Sequence, residues 1–254
     1  LARGLLLIGV TAYLGGGDSR RARWTAALAF LFVGLLQPIA LVSGYAVLGA
    51  HVALVGLTRR SPAEAWSWAR RSLITVSLSL PLFAYSVVAF SLDPYLRIWT
   101  AQNKLLSPHP LHYLLAYGLI LVPAGVEAVR VIRGRDPARL LLAGWAFLLP
   151  VLAYFPHNVQ RRLPDGAWVA LLVLAAMWAS RWLQSAPRSR RALTVLVGAS
   201  LGTSALILLG AVRTAMVPAA PAFVSMGEVR AYEWLAVNAP QGSVVLSDYE
   251  AGNA

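Results

Sequence analysis

The chain has 254 residues, of which 58% are hydrophobic and 13% are charged, and it contains no cysteine. This composition excludes an ordinary soluble domain and is typical of a multi-pass membrane protein, and the lack of cysteine excludes disulfides, thiolate metal sites and a cysteine nucleophile. The net charge of +12 does not indicate nucleic-acid binding, because the 22 basic residues are spread through short loops and form no single patch.

The first long apolar segment is expected to enter a membrane and return. Residues 24–57 are apolar, have arginine-rich stretches on both sides and are longer than the roughly 20 residues of one span. Proline removes a helix donor and clashes with the preceding turn. We therefore predict a broken hairpin near Gln37-Pro38, with helices over 24–36 and 39–57.

The other segments follow the same pattern of apolar runs between arginine-rich loops. Residues 58–72 are predicted to contain a helix that begins at Ser61-Pro62 and lies along the membrane interface. The other apolar runs are 1–14, 73–92, 111–129, 140–155, 167–183 and 193–212. In the topology that satisfies every loop, fifteen basic residues lie on one face and six on the other, so the first face is expected to be cytoplasmic.

The predicted fold is an all-α polytopic membrane helix bundle of about seven or eight hydrophobic segments, followed by the start of an extracytoplasmic α/β domain. The bundle covers residues 1–213 and is interpreted as N-terminally truncated. Residues 214–254 are interpreted as the beginning of a soluble domain that is C-terminally truncated, with a helix over 227–238 and a strand over 243–247.

Two polar loops, 93–110 and 154–166, fall on the face with few basic residues. Both are bounded by apolar runs, so they are expected to meet above the helix bundle. We expect these loops and the C-terminal segment to be extracytoplasmic in a bacterial inner membrane.

The second loop contains the strongest candidate for a binding site. The guanidinium groups of Arg161 and Arg162 are planar and present pairs of N–H groups that match phosphate oxygens. These arginines are therefore predicted to bind the phosphate of a donor substrate. The alternative is that they reach outward to lipid headgroups, as arginines near helix ends do. His157, Asn158 and Gln160 lie beside them and are candidates to bind a sugar or phosphate, or to cap exposed helix ends.

The first loop contains a carboxylate and several side chains suited to sugars. Asp93 is a candidate for binding a divalent cation or orienting an acceptor hydroxyl, and its alternative role is to form a turn before a proline. Gln102 and Asn103 carry amides that suit sugar hydroxyls. Trp99 offers a flat face for stacking or belongs to an interfacial aromatic belt.

Four other ionisable residues are expected to have structural roles. His109 and His112 are three residues apart, but a proline lies between them and no third ligand is evident, so they are not expected to bind a metal. His51 is interpreted as a core histidine with satisfied hydrogen bonds. Glu127 is expected to pair with Arg130 or Arg133 on its own helix.

Three stretches carry a family resemblance. They are Asp93-Pro94 with Trp99, Gln102-Asn103, Ser107-Pro108, Tyr113 and Tyr117-Gly118; the segment Phe155 to Arg162; and Trp234-Leu235, Val244 to Leu246 and Gly252-Asn253. Together they resemble bacterial polytopic proteins that are similar in layout to the GT-C superfamily of glycosyltransferases, which includes the dolichyl-phosphate-mannose protein mannosyltransferases. The resemblance begins at about Trp24.

The resemblance implies an enzyme that transfers a sugar from a polyprenyl-phosphate donor to an acceptor on the extracytoplasmic face. Arg161 and Arg162 match the place where the superfamily holds a phosphate. Its catalytic base is an acidic residue in the first outer loop, expected upstream of Leu1, so no base is carried over and this fragment alone is expected to be inactive. A divalent metal ion is a candidate cofactor.

Two other classes of function are compatible with the sequence. A transporter or flippase for an anionic lipid-linked substrate would use the same arginines to guide its cargo, but transport pathways usually contain intramembrane charge and these helices contain little of it. A non-catalytic membrane anchor would not need such polar loops. The expected partners are the lipid bilayer and a polyprenyl-phosphate-linked sugar, with the oligomeric state left open.

Overall fold

The computed structural model describes residues 1–15, 19–164, 166–185, 190–217, 223–240 and 242–244. All regular elements in these residues are helical, and the chain divides into two compact units, 1–189 and 190–254. The first unit contains α1 (Ala2–Gly15), α2 (Arg20–Leu36), α3 (Pro38–Arg59), α4 (Pro62–Val76), α5 (Leu80–Leu92), α6 (Pro94–Gln102), α7 (Pro110–Gly134), α8 (Pro137–Ala153), a 3-10 turn (Gln160–Arg162) and α9 (Ala167–Ser185).

Proline marks the start of six consecutive helices. Each helix from α3 to α8 has a proline at its first or second position. Proline is tolerated there because the first N–H groups of a helix have no intrahelical partner, and its ring disfavours continuation of the preceding helix. Side chains of the preceding residues cap four of these helices by accepting a backbone hydrogen bond: Ser61, Asp93, His109 and Asp136.

The predicted break at Gln37-Pro38 is confirmed. α2 ends at Leu36 and α3 begins at Pro38. The two helices pack against each other beyond the break, since the Phe30 ring stacks on Tyr45 with centroids 6.3 Å apart. Phe30 is fully buried. Phe30 therefore lies at the contact between α2 and α3, which fold back on each other at the break.

The boundary between the predicted interfacial helix and the next span lies further along the chain than expected. The predicted boundary between residues 72 and 73 is wrong, because α4 continues to Val76 and a turn at Ser77–Ser79 precedes α5. The axes of α4 and α5 differ by 64°. Ser79 stabilises the turn by hydrogen bonding to the Val76 carbonyl and to the Tyr45 hydroxyl, at 3.0 and 2.9 Å.

The described residues contain fewer candidate spans than the seven or eight segments that we predicted. α3 and the run Gln160–Gln184 are each long and apolar enough to cross a membrane, and the number rises to four if each of two bent helix pairs is one span. The second bent pair is α7, whose two parts differ by 87°. Other apolar helices, such as α1 and α8, have only 14 and 17 residues, which is short for a 30 Å hydrocarbon layer.

The prediction that His51 is a satisfied core histidine is confirmed. Its Nε2 is 2.7 Å from the Pro137 carbonyl and its Nδ1 is 2.8 Å from the Tyr13 hydroxyl. A carbonyl only accepts, so Nε2 carries the proton and Nδ1 accepts from Tyr13. Ser72 is 3.2 Å from the same hydroxyl. This buried network connects α1, α3 and α4 with the start of α8.

Glu127 is fully buried and has two arginine neighbours. Arg130, on the same helix as predicted, lies 3.6 Å from Oε2, while Arg181 of α9 lies 2.9 Å from Oε1. Neither oxygen accepts a well-aligned hydrogen bond, so these are ion pairs by proximity. The closer pair, which joins α7 to α9, was not predicted from the sequence.

The second unit contains α10 (Arg190–Met216) and α11 (Met226–Asn238). α11 confirms the helix predicted over 227–238. It begins with a capping box, in which Ser225 Oγ accepts from the Glu228 N–H and the Glu228 carboxylate accepts from the Ser225 N–H. Of the predicted strand over 243–247, only Ser243 and Val244 are described and neither is in a strand, so an α/β domain has no support in the described residues.

Two glycines of α3 provide a matched test of the packing. A Cβ on Gly44 would lie 2.9 Å from Phe30 and 3.0 Å from Leu6, whereas a Cβ on Gly49 would meet nothing within 4 Å. Gly49→Ala is expected to raise stability by about 0.5–1 kcal/mol, because alanine favours a helix. Gly44→Ala is expected to lower it by about 1–3 kcal/mol through overpacking.

Reversible unfolding of both variants in the same detergent measures the difference. Two shifts of the same sign would show that Phe30 and Leu6 do not pack tightly against Gly44.

Candidate functional site

The two predicted polar loops meet, as the sequence led us to expect. The N–H of Leu105 donates to the carbonyl of Asn158 at 2.6 Å, and the N–H of Arg161 donates to the carbonyl of Leu105 at 3.1 Å. Leu105 thus bonds through both of its backbone groups to the second loop. We call the contact between residues 103–109 and 154–164 the loop junction.

Side chains of the second loop reinforce the loop junction. Asn158 donates to the Thr100 carbonyl at 3.0 Å, and the side-chain oxygen of Gln160 accepts from the Ser107 N–H at 3.2 Å. The Tyr154 hydroxyl donates to a carbonyl of the first loop, that of Pro108, at 2.7 Å. Desolvation and, to a lesser degree, the nearby Tyr113 raise the pKa of Tyr154 above its usual value, so this donor keeps its proton at neutral pH.

The first polar loop is shorter than predicted, because part of it is the helix α6. Asp93 caps this helix by accepting from the Leu96 N–H at 2.9 Å, and Pro94 takes the first helical position. The Asp-Pro pair therefore starts a helix, and not the loop turn that was the alternative role predicted for Asp93. At the other end, Asn103 Nδ2 donates to the Trp99 carbonyl at 2.8 Å.

An open cavity of about 310 Å³ lies beside the loop junction. One wall comes from α7, where Tyr113 and Tyr117 are one turn apart and stack with parallel rings at 6.4 Å. Arg161 and, at the start of α9, Trp168 also line the cavity. The other lining residues are Pro108, His112, Ala116 and Pro164.

The cavity distinguishes the two arginines that the sequence presented as a pair. Both are exposed and belong to the 3-10 turn Gln160–Arg162, but Arg161 lines the cavity and Arg162 does not. Successive residues of a 3-10 helix point about 120° apart. The hydrogen bond from the Arg161 N–H to Leu105 fixes which of the two lies beside the cavity.

The remaining candidate residues lie outside the cavity lining. Trp99 packs against Phe90, with ring centroids 6.0 Å apart, and keeps about half of its surface exposed. Gln102 is exposed at the end of α6. His157 accepts from the Val159 N–H at 3.3 Å. These contacts are local, so the structure does not gather the predicted sugar-binding residues into one site.

Metal-binding side chains do not cluster in the described part of the chain. It contains no group of three or more His, Asp or Glu residues placed to hold an ion. His109 instead caps α7 by accepting from the Leu111 N–H at 3.3 Å. Asp165 follows a proline and precedes an apolar run, so the sequence predicts that it caps the next helix, but it lies outside the described residues.

Sequence reasoning assigned no binding role to the aromatic wall of the cavity. Tyr113 and Tyr117 are four residues apart in a helix that follows the polar loop directly, which places them on one face. That spacing predicts a shared aromatic face on the helix. Trp168 had no such signal, because its position follows from the packing of α9 against α7.

Searches of protein-family models, curated proteins and solved structures found no match to this chain. The resemblance to the GT-C superfamily therefore stays a sequence-based expectation.

The only lysine of the chain, Lys104, allows a direct test of the loop junction. It is exposed and adjacent to Leu105, so a lysine-specific endopeptidase has one cleavage site, and that site is protected by the backbone bonds of Leu105. Asn158→Ala removes the bond to Thr100, worth about 1 kcal/mol, and is expected to speed cleavage about fivefold.

Asn238→Ala is the matched control, because Asn238 also donates to a backbone carbonyl, that of Trp234, but in α11. It should leave the cleavage rate unchanged. Equal rates for Asn158→Ala and the unmodified protein would contradict the role given to Asn158.

Proposed function

We propose that this chain is part of a membrane glycosyltransferase that binds a polyprenyl-phosphate-linked sugar at the loop junction and transfers the sugar to an acceptor. The supporting observation is the cavity, in which Arg161 and three aromatic side chains lie together. Within the described residues, two to four helices are long and apolar enough to cross a membrane. The cavity thus combines a cation for phosphate with apolar surface for the rest of a lipid-linked ligand.

Arg161 would bind the phosphate of the donor. A guanidinium stays charged at all relevant pH values and presents two parallel donors to phosphate oxygens. When the bond between sugar and phosphate breaks, negative charge grows on the phosphate, and a fixed cation stabilises that charge more than it stabilises the bound donor. Arg161 is suited to this role because its backbone is held by Leu105.

The aromatic wall would bind the apolar and sugar parts of the donor. Tyr113, Tyr117 and Trp168 offer ring faces and hydroxyl groups in one cavity. A volume of about 310 Å³ falls at the lower end of the range for small-molecule sites, about 300–1,000 Å³. It is large enough for a sugar phosphate, and a prenyl chain would extend along the apolar surfaces of α7 and α9.

No catalytic base is assigned. The GT-C resemblance implies an acidic residue that takes the proton of the acceptor hydroxyl, and no carboxylate is among the residues that line the cavity. Asp93 is engaged as the cap of α6. The role proposed for this site is therefore donor binding and stabilisation of the leaving phosphate.

A flippase or transporter is the second candidate, and one observation favours it. Glu127 and Arg181 form an ion pair between α7 and α9, the two helices that also border the cavity. Buried ionisable residues often mark the path of a transported substrate. This function would need only movement of the lipid-linked sugar, without transfer.

Substitution of the two arginines separates specific phosphate binding from general attraction to headgroups. Arg161→Gln is expected to reduce sugar transfer at least tenfold and to weaken donor binding, because it removes a charged group beside the leaving phosphate. Arg162→Gln removes an equivalent charge that lies outside the cavity lining, so this variant should retain transfer. Membranes with the full protein and a radiolabelled polyprenyl-phosphate sugar provide the assay.

Equal losses in both variants would assign the arginines to headgroup contacts. Movement of the labelled lipid between leaflets, without transfer to any acceptor, would support the flippase.

The orientation of the chain is tested at Lys104. In sealed cells, lysine-specific endopeptidase added outside is expected to cut at this residue, because the loop junction is proposed to face outward. A variant with Lys104→Arg and Arg135→Lys moves the cleavage site to an arginine-rich turn. That variant should be cut only after the membrane is permeabilised, and the opposite pattern would reverse the proposed topology.

A further inference from the structure

The cavity beside the loop junction contains a histidine that the proposed donor site does not use. His112 lines this cavity together with Arg161 and three aromatic side chains. It is exposed and is the third residue of α7. Histidine is the side chain that most often acts as a general base in enzymes, so its place beside Arg161 calls for a chemical explanation.

Contacts in the first turn of α7 determine the tautomer of His112. Its backbone N–H and its Nδ1 both lie against the His109 carbonyl, at 2.9 and 3.3 Å. A carbonyl only accepts hydrogen bonds, so Nδ1 carries the proton of the neutral imidazole and Nε2 has the free lone pair. In the part of the chain that the structure describes, nothing donates to Nε2. This atom is therefore open to a ligand in the cavity.

The carbonyl that holds the imidazole is itself well defined. Pro110 restricts the backbone of His109 to extended conformations, and the observed φ and ψ of His109 are −54° and 142°. The His109 side chain also accepts from the Leu111 N–H at 3.3 Å. The start of α7 thus positions the imidazole of His112 through backbone groups.

The rest of the cavity lining offers no competing base. It contains no carboxylate, and a guanidinium such as that of Arg161 stays protonated and has no acceptor. Of the side-chain types present, only imidazole has a basic lone pair at neutral pH. A donor phosphate at Arg161 and a hydroxyl group at His112 would share one cavity.

We propose that His112 takes the proton of the acceptor, which is an alcohol, an inference that rests on the function proposed above. The hydroxyl proton passes to Nε2 as the acceptor oxygen forms a bond to the anomeric carbon of the sugar. The bond from that carbon to the phosphate breaks, and its electron pair stays on the phosphate oxygen beside Arg161. The imidazolium then releases its proton to water. In this arrangement the base lies within this chain and is not the acidic residue that the resemblance implies.

The test measures sugar transfer and donor binding in membranes that contain the full protein. The probes are radiolabelled polyprenyl-phosphate mannose and polyprenyl-phosphate glucose, with the acceptors of the membranes themselves. His112→Ala and His112→Gln are each expected to lower transfer about 100-fold, the order of magnitude that a positioned base contributes. Both variants should keep donor binding, because Arg161 remains, and retained binding also shows that they are folded.

Added imidazole distinguishes a lost base from a lost structural contact. It is expected to restore part of the transfer by His112→Ala, because the cavity is open and the substitution vacates the space of one imidazole ring. The restored rate should increase with pH, since only neutral imidazole accepts a proton.

Two other variants serve as controls. Leu111→Ala is matched to His112→Ala, because Leu111 is an exposed residue of the same helical turn that does not line the cavity, and it should retain transfer. Arg161→Gln should lose donor binding and should not respond to imidazole.

Full transfer by both His112 variants, or a loss in His112→Ala that imidazole does not restore, would overturn the role of His112 and leave the proposed donor site intact. Weaker donor binding in these variants would make His112 a phosphate ligand and not a base. Absence of transfer by the unmodified protein would instead contradict the proposed function itself.

Discussion

The arrangement of the first unit depends on where proline allows a helix to begin. Six successive helices, α3 to α8, carry proline in their first turn, and each proline also disfavours continuation of the helix before it. Backbone groups in an apolar environment must be satisfied. Caps from Ser61, Asp93, His109 and Asp136 meet that requirement at four of the starts.

These helix starts determine the geometry of the loop junction. Since α6 ends at Gln102 and α7 begins at Pro110, only seven residues connect them. Such a short connection holds Leu105 close to the second loop, where both of its backbone groups are bonded. The same bonds place Arg161 beside Tyr113 and Tyr117. A binding cavity with one cation and an aromatic wall thus follows from local backbone constraints.

The sequence predicted the features that depend on local rules and missed those that depend on tertiary contacts. The break at Gln37-Pro38 follows from proline chemistry alone, and the meeting of the two loops follows from their placement on one face. The same proline rule would have revealed α6, had Asp93-Pro94 been interpreted as a helix start. Nothing local separates Arg161 from Arg162, because the difference comes from a bond to Leu105, 56 residues earlier in the chain.

The ion pair between Glu127 and Arg181 has a consequence for the order of biosynthesis. Arg181 follows Glu127 by 54 residues, and at roughly 5–20 residues per second the ribosome takes about 3–10 s to add them. During that interval Arg130 is the only one of the two arginines that can neutralise the Glu127 carboxylate. Moving nascent α7 out of water is therefore more costly at Glu127 before α9 has been synthesised. The two helices are thus expected to leave the insertion machinery together.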